Sequence, residues 1–328
     1  MNVSARWNKF GWIFKWAFFL LSAFLIYHHL CAESAAVGNA FFSSSFLSDK
    51  IDLFWLIPTL LLAPLNWVVE AWKWRLMMGQ VEPVSLKTSI LAFFNGTAVS
   101  LFTPNRSGEF AGRILYLKKQ NRIRGALMTF VGSSAQLLVT IQAGLLALLF
   151  VRPSSDPETF QSPLILVILV LSTLLAVTWA WIRMPVWAGF LHKFKYFDKW
   201  KGDMRVWDEL GSYSMLIAWL LSFLRYFIFI TQQFCIFQLM SHPIAFHSVV
   251  VFSAVSFLII TIIPSIALGE LGIRGGVSVT LFGLAAVPAS VVLAATFSLW
   301  TINVAQPALF GAVAVLFIRN FKSSQVGQ

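Results

Sequence analysis

Two segments of the chain place charged side chains beside proline and glycine inside otherwise apolar sequence. The first reads Pro104-Asn105-Arg106-Ser107-Gly108-Glu109-x3-Arg113, and the second reads Pro264-Ser265-Ile266-Ala267-Leu268-Gly269-Glu270-x3-Arg274. Arginine binds phosphate through two parallel hydrogen bonds, and the N–H groups at the start of a helix also attract anions. Together the two segments predict a site for a phosphate group.

Each segment is expected to end one helix at its proline, Pro104 or Pro264, and to begin another at Gly-Glu. Short polar side chains just before the new helix, those of Asn105, Ser107 and Ser265, are expected to cap it. The candidate substrate-binding residues are Asn105, Arg106, Ser107, Gly108, Glu109, Arg113, Arg225, Gly269, Glu270 and Arg274.

A structural interpretation of the same residues stays open. Glu109 lies four residues before Arg113, as Glu270 does before Arg274, so each pair shares a helical face and can neutralise itself. The spacings Gly108-x3-Gly112 and Gly272-x3-Gly276 also suit close helix packing. However, charge inside a membrane is costly and usually marks a binding site or pathway, which favours the functional interpretation.

Composition sets the environment of these segments. The 328 residues are 58% hydrophobic and 11% charged, whereas a soluble protein carries about 25% charged residues. An ordinary soluble enzyme is therefore excluded. Apolar runs predict six transmembrane helices near residues 12–30, 53–72, 124–151, 163–182, 213–240 and 289–318. The interrupted regions 86–119 and 247–287 are predicted to be hairpins, because broken backbone is tolerated at membrane depth only inside protein or at a cavity.

The distribution of Lys and Arg predicts the orientation. If both hairpins are re-entrant and the termini are cytoplasmic, Lys50 and Arg152 are the basic residues left outside, as the positive-inside rule requires. This rule also accounts for the net charge of +11, so no nucleic-acid partner is expected. The basic loop 183–212 is predicted to lie on the cytoplasmic face as an amphipathic segment at the anionic inner leaflet. The expected location is the plasma (inner) membrane.

The chain contains a repeat. The two Gly-Glu-x3-Arg motifs are 161 residues apart, and the same offset relates Thr140-Ile141-Gln142 to Thr301-Ile302-Asn303. Residues 10–151 and 163–318 each read as helix, helix, hairpin, helix, with opposite orientations. The predicted fold is therefore a single all-α polytopic membrane domain with six full transmembrane helices and two re-entrant helical hairpins in an inverted-topology repeat, a design typical of transporters.

Other polar residues carry weaker signals. Arg225 is expected either to face the same cavity or to pair with a glutamate. Five further side chains either line a polar path or make interhelical hydrogen bonds: Gln136, Thr140, Gln142, Asn303 and Gln306. Glu70, with Lys73 and Arg75, is interpreted as an interfacial charge cluster at a helix end. The five histidines show no ligand spacing, and no nucleophile, zinc or Walker motif is present, so neither a metal nor a cofactor is expected.

The two motifs, with Phe94-x-Gly96 ahead of the first, resemble the lysylphosphatidylglycerol synthase transmembrane family, which is also described as flippase-like. The resemblance covers roughly residues 10–320. It implies a membrane region that moves lipids between leaflets. In some members this region is joined to a soluble aminoacyltransferase domain. This sequence has no segment resembling that domain, so synthase activity is not expected.

Three functions follow as hypotheses. The leading one is a flippase for an anionic phospholipid or a polyprenyl-phosphate-linked lipid, with membrane lipids as its partners. The second is a membrane-embedded transferase or hydrolase acting on a lipid phosphate, for which Glu109 or Glu270 would supply the acid. The third is a non-transporting scaffold that binds a lipid-modifying enzyme.

Overall fold

The computed structural model describes residues 52–103, 106–151, 164–186, 201–263 and 267–317, and all regular structure in these ranges is helical. The predicted first span, 12–30, lies outside the described residues, as do Pro104, Asn105, Pro264 and Ser265. The helices are α1 (Leu56–Met78), α2 (Leu86–Ser100), α3 (Gly108–Ile114), α4 (Arg122–Leu148), α5 (Leu164–Ile182), α6 (Lys201–Asp208), α7 (Ser212–Leu239), α8 (Phe246–Ile262), α9 (Ala267–Gly283), α10 (Ala289–Trp300) and α11 (Gln306–Phe317).

Four stretches of the described chain are long and apolar enough to cross a membrane: Leu53–Met78, Lys119–Leu148, Ser212–Leu239 and Ala289–Ala314. They coincide with four of the six predicted spans. The chain is therefore an all-α, multi-pass membrane protein. The fifth predicted span, 163–182, corresponds to α5, whose apolar part Val167–Ile182 is shorter than these four stretches. That six helices cross the membrane completely remains a prediction.

Helix pairs occupy the two interrupted regions. In the first, α2 begins where the Ser85 hydroxyl accepts a hydrogen bond from Thr88 N at 3.1 Å, an N-cap. The arms α2 and α3 meet backbone to backbone, because a Cβ added at Gly112 would lie 2.7 Å from Gly96 Cα. Asn95 Nδ2 donates to Gly112 O at 3.1 Å and holds this crossing. In the second interrupted region, α8 packs against α9 and forms the corresponding pair. The re-entrant path of each pair remains a prediction.

Packing between the two halves of the chain is reciprocal. Helix α1 packs along α7, α2 of the first half packs on α11 of the second, and α8 of the second packs on α4 of the first. Glycines allow both of the latter contacts. A Cβ at Gly311 would overlap the carbonyl of Phe94, and a Cβ at Gly144 would overlap the side chain of Leu258.

The glycines of the two motifs differ in their surroundings. A Cβ added at Gly272 or Gly276 meets no described atom within 4 Å, whereas Gly108 and Gly112 of the first motif are tightly enclosed. Among the described residues, the close-packing interpretation therefore holds for the first motif, and no helix packs against this face of α9.

The predicted basic loop 183–212 is partly described. Helix α6 lies in it, and residues 187–200 are outside the described ranges. The side chains of Met204, Val206 and Trp207 are buried in one apolar cluster with Trp74 and Met128. The apolar face of this part therefore packs on protein, and the position of its basic residues at the leaflet remains a prediction.

The glycine contacts give a stability prediction. Replacing Gly311 by Ala should lower the thermal unfolding midpoint of the detergent-purified protein, because overpacking costs about 1–3 kcal/mol. Replacing Gly276 by Ala is the matched control. Its Cβ meets no described atom within 4 Å, and alanine is favoured over glycine in a helix by about 1 kcal/mol, so this midpoint should stay or rise. Equal shifts in both variants would contradict the packing described above.

Candidate functional site

The centre of the site is the carboxylate of Glu70 on α1. Its Oε2 accepts from Lys73 Nζ at 2.8 Å and from Arg225 Nη1 at 3.0 Å. Its Oε1 accepts from Arg113 Nη2 at 2.9 Å. Only 3% of Glu70 is exposed. A buried carboxylate is costly unless it is paired, so one anion here is held by cations from α1, α3 and α7.

The predicted interfacial cluster at Glu70 is therefore wrong for two of its three members. Lys73 is 2% exposed and also donates to Ser222 Oγ on α7 at 3.2 Å. Residues three apart share a helix face, so Lys73 follows Glu70 inward. Arg75 points away from that face. It is exposed, and its Nε donates to Val84 O at 3.0 Å.

Arg113 lies between two carboxylates. It forms an ion pair with Glu109, as the spacing of the motif predicts, and a second ion pair with Glu70. The residue is almost completely buried. Gly96 provides the room, because a Cβ there would lie 2.8 Å from Arg113 Cγ. With both carboxylates around it, Arg113 positions the glutamates and is not placed to contact a substrate directly.

An amide chain extends the network across the protein. Arg225 Nε donates to Asn66 Oδ1 at 2.9 Å, and Asn66 Nδ2 donates to Asn303 Oδ1 at 2.7 Å. Asn303 Nδ2 then donates to Gln232 Oε1 at 2.6 Å. Asn303 lies in a π-helical turn, Thr301–Ala305, between α10 and α11. Such turns widen a helix and are frequent at functional sites.

Two adjoining cavities surround this network. The larger, here named the ionic cavity, has a volume of about 490 Å³, and the smaller, named the aromatic cavity, about 210 Å³. They share part of their walls, including Arg106, Gln136, Thr140, Arg225 and Arg274. Gln136 and Thr140 lie halfway along α4, and Arg225 lies halfway along α7. Both helices are long and apolar enough to cross a membrane, so the shared wall lies near the middle of two candidate spans.

The ionic cavity carries an excess of positive charge. Its described wall contains four cations, Lys73, Arg106, Arg225 and Arg274, and two carboxylates, Glu70 and Glu109. Adding Arg113 raises the excess from two to three. The side chain of Glu270 is not described, and counting its charge as well still leaves an excess of two. Cavities with low-dielectric walls concentrate such a field, so this one attracts anions.

Arg106 reaches both cavities from an unusual backbone conformation. Its φ is 58°, in the left-handed region that side chains other than glycine rarely adopt. Strained residues of this kind cluster at ligand sites, where the surrounding structure maintains them. The residue lies two positions before Gly108, where α3 begins, so the strain is located at the break between the two arms.

The structure brings many of the predicted site residues to the two cavities. These are Arg106, Glu109, Gln136, Thr140, Arg225, Arg274 and Asn303. Arg225 fits both of its predicted roles, since it lines the cavities and pairs with a glutamate. Asn303 likewise lines the aromatic cavity and makes interhelical hydrogen bonds. Gly269 and Glu270 lie in the first turn of α9, which begins at Ala267, two residues before the predicted start.

Other predicted residues lie elsewhere. Gln142 lines a separate apolar cavity, where its Oε1 accepts from Trp219 Nε1 at 3.1 Å and its Nε2 donates to Thr178 Oγ1. Gln306 is exposed and lines neither cavity. Ser107 makes no capping hydrogen bond, so its predicted role as a cap is wrong. The hydroxyl of Thr103 accepts from Gly108 N at 2.7 Å instead.

Sequence reasoning did not assign the members of the network on α1 to the site. Asn66, Glu70 and Lys73 follow one another at spacings of four and three, which places them on one helical face. Three polar residues on a single face of an apolar helix are the signal that identifies them. Among the described residues, no three His, Cys, Asp or Glu side chains are grouped to hold a metal ion.

Comparison with known families adds one finding. A family model described as the lysylphosphatidylglycerol synthase TM region matches residues 11–311, which is most of the chain. It includes both motifs and all the cavity residues named above. No curated protein and no solved structure matches the chain.

The Glu70 network gives a prediction for folding. Glu70→Gln should destabilise the protein by roughly 3–5 kcal/mol, because it leaves buried cations uncompensated. The control is Glu209→Gln, which breaks the exposed pair with Arg124 and should cost at most about 1 kcal/mol. Thermal unfolding in detergent measures both variants.

A second substitution tests the physical cause of this loss. Adding Lys73→Met to Glu70→Gln removes one of the uncompensated cations and should recover part of the lost stability. The single variant Lys73→Met is measured as well. If the loss of stability in the double variant equals the sum of the losses in the two single variants, the carboxylate is not acting through its charge.

Proposed function

Because the chain belongs to the lysylphosphatidylglycerol synthase TM region family, we propose that it moves an anionic lipid between the two leaflets of a membrane. The observation that carries the proposal is the ionic cavity. It lies beside the middle of the candidate spans α4 and α7, carries an excess of positive charge and is lined from both halves of the chain. An anionic phospholipid or a polyprenyl-phosphate-linked lipid has the matching charge.

The proposal includes an inverted repeat with two re-entrant hairpins, α2–α3 and α8–α9. Reciprocal packing of α2 on α11 and of α8 on α4 supports it, because a two-fold relation between halves exchanges these two contacts. The proposed orientation has cytoplasmic termini in the plasma (inner) membrane. In transporters of this design the substrate binds where the broken helices of both repeats meet.

Three arginines are proposed to hold the phosphate. Arg106, Arg225 and Arg274 come from the first hairpin, α7 and the second hairpin, and all line the ionic cavity. A guanidinium presents a planar fork of N–H donors that matches phosphate oxygens. Arg113 stays with its two carboxylates and keeps Glu109 and Glu70 in position. Glu109, whose side chain is 27% exposed, lines the ionic cavity while it pairs with Arg113.

Arg225 is proposed to couple binding to movement. It joins the halves, since its guanidinium on α7 donates to Glu70 and Asn66 on α1. A phosphate entering the cavity competes with Glu70 for this cation. The ion pair between the halves is weaker while substrate is bound, and the two repeats are then able to rock against each other.

No chemical change of the lipid is part of this proposal. Among the described side chains near the arginines, the two acids are Glu109 and Glu70. Both pair with Arg113, which leaves neither of them poised as a general acid. We therefore propose that the protein is not an enzyme. Formation of a new lipid species by the purified protein would support the transferase or hydrolase hypothesis instead.

Leaflet exchange in proteoliposomes tests the proposal. We expect the wild-type protein to accelerate exchange of fluorescent anionic phospholipids or polyprenyl phosphates over empty liposomes. Arg106→Gln and Arg274→Gln should each slow it about tenfold or more, because a hydrogen bond to a charged group contributes roughly 1.5–3 kcal/mol. The matched control is Arg124→Gln, an arginine that lines neither cavity.

The outcomes separate the hypotheses. Exchange that is lost in both cavity variants and kept in the control supports transport through the ionic cavity. Exchange that both variants retain places the pathway elsewhere. If wild-type protein moves none of the lipids, transport is rejected for that panel, and the scaffold hypothesis is tested next by co-purification with lipid-modifying enzymes.

A further inference from the structure

The guanidinium of Arg225 is shared between helix α1 and the two cavities. Its Nε donates to Asn66 Oδ1 at 2.9 Å, and its Nη1 donates to Glu70 Oε2 at 3.0 Å. Among the described residues, these two are the ones that accept hydrogen bonds from it. The side chain is 17% exposed and lines both cavities. The remaining nitrogen, Nη2, is therefore the one available to a ligand, provided that the guanidinium keeps this orientation.

The amide of Asn303 is fixed by its own neighbours. Its Nδ2 donates to Gln232 Oε1 at 2.6 Å and to Leu299 O at 3.0 Å, four residues earlier in the chain. An amide nitrogen has two hydrogens, so both are used. The residue is 5% exposed and lies in the π-helical turn, where Gln306 N donates to Thr301 O, five residues back. The side-chain oxygen of Asn303, and not its nitrogen, is thus left to face α1.

This fixed oxygen determines which end of the Asn66 amide faces Arg225. Asn66 is 1% exposed, and its Nδ2 donates to Asn303 Oδ1 at 2.7 Å. Its Oδ1 then faces Arg225, whose guanidinium has only donors and needs an acceptor. Reversing the Asn66 amide would bring its NH2 group against the N–H of Arg225 and its oxygen against the oxygen of Asn303. The two asparagines therefore form a pair with one permitted orientation.

The pair competes with Glu70 for the guanidinium. Arginine and a carboxylate form two parallel hydrogen bonds where the geometry allows it, and Glu70 already accepts from Nη1 of Arg225. If Nε lost its acceptor on Asn66, Glu70 is the acceptor that the guanidinium already contacts. We expect the guanidinium then to turn further toward Glu70 and to withdraw Nη2 from the cavities. Holding Nε on Asn66 prevents this movement.

We propose that Asn66 and Asn303 are positioning residues that keep the guanidinium of Arg225 directed into the cavities. This inference rests on the proposed function, in which Arg225 binds the lipid phosphate, and it specifies what keeps that arginine available. Asn66 lines neither cavity, so it acts through its neighbours, whereas Asn303 also lines the aromatic cavity. The π-helical turn in the second half of the chain anchors the pair.

Direct binding to the full-length protein in detergent tests the inference without requiring transport. Native mass spectrometry compares phosphatidic acid with a diacylglycerol that has the same acyl chains, so the two lipids differ only in the phosphate. We expect the wild-type protein to prefer phosphatidic acid. Asn66→Leu and Asn303→Leu should each lower that preference about three- to tenfold, because the hydrogen bond that orients the arginine is lost.

The matched control is Ser253→Ala. Ser253 is also fully buried, and its hydroxyl donates to Gln233 Oε1 at 2.9 Å, so the variant removes a buried hydrogen bond between α7 and α8 that lies outside the pair. Ser253 lines neither cavity. This variant should keep the wild-type preference for phosphatidic acid.

A double-variant cycle separates positioning from direct contact with the lipid. In the Arg225→Gln background, Asn66→Leu and Asn303→Leu should have no further effect on the preference, since the group that they orient is gone. A hydrogen bond from Asn303 to the lipid itself would instead lower the preference by the same factor in both backgrounds. Asn66→Leu tests the pair independently if Asn303→Leu does not fold.

Four outcomes overturn the inference: equal affinity of the wild-type protein for the two lipids, equal weakening of both lipids by the leucine variants, an unchanged loss in the Arg225→Gln background, or failure of both leucine variants to fold. Leaflet exchange decides the proposed function separately. The expected cycle in a protein that exchanges no lipid supports the positioning pair and rejects the flippase. Exchange by a protein in which the cycle shows no coupling supports the flippase and rejects the pair.

Discussion

One buried carboxylate organises this protein. Glu70 accepts hydrogen bonds from Lys73, Arg113 and Arg225, which lie on three different helices. A cation buried inside a membrane protein has a high free-energy cost unless an anion lies beside it. The position of the first hairpin against α1, and of α7 against α1, is therefore determined by electrostatics as much as by apolar packing. The cavities are the space that remains around this charge cluster.

The two cavities differ in the side chains that line them. On the ionic side, long-range attraction favours an anion but discriminates poorly between anions, because it depends mainly on charge. The aromatic cavity shares the arginines of that wall and adds aromatic rings from α7 and α8, so charge and apolar surface lie next to each other.

The sequence predicted the charged parts of the site better than their partners. Arg106, Glu109 and Arg274 are visible because charge, proline and glycine interrupt apolar sequence there. Glu70 was misplaced because its helix was predicted to end at residue 72, whereas α1 continues to Met78 and carries Glu70 well inside. Its pairing with Arg225, 155 residues later, depends on how α1 and α7 pack, which local sequence does not encode.

The contacts of Glu70 also impose an order on assembly during synthesis. Lys73 is on the same helix, so α1 enters the membrane with its own charges already neutralised. Helix α7 contains Arg225 but no acidic residue, and an isolated arginine at the centre of a helix costs roughly 2.5–3.5 kcal/mol on insertion. Pairing with Glu70 offsets that cost, and α1 precedes α7 in the chain. The order of the helices therefore makes the neutralising carboxylate available before the helix that needs it is synthesised.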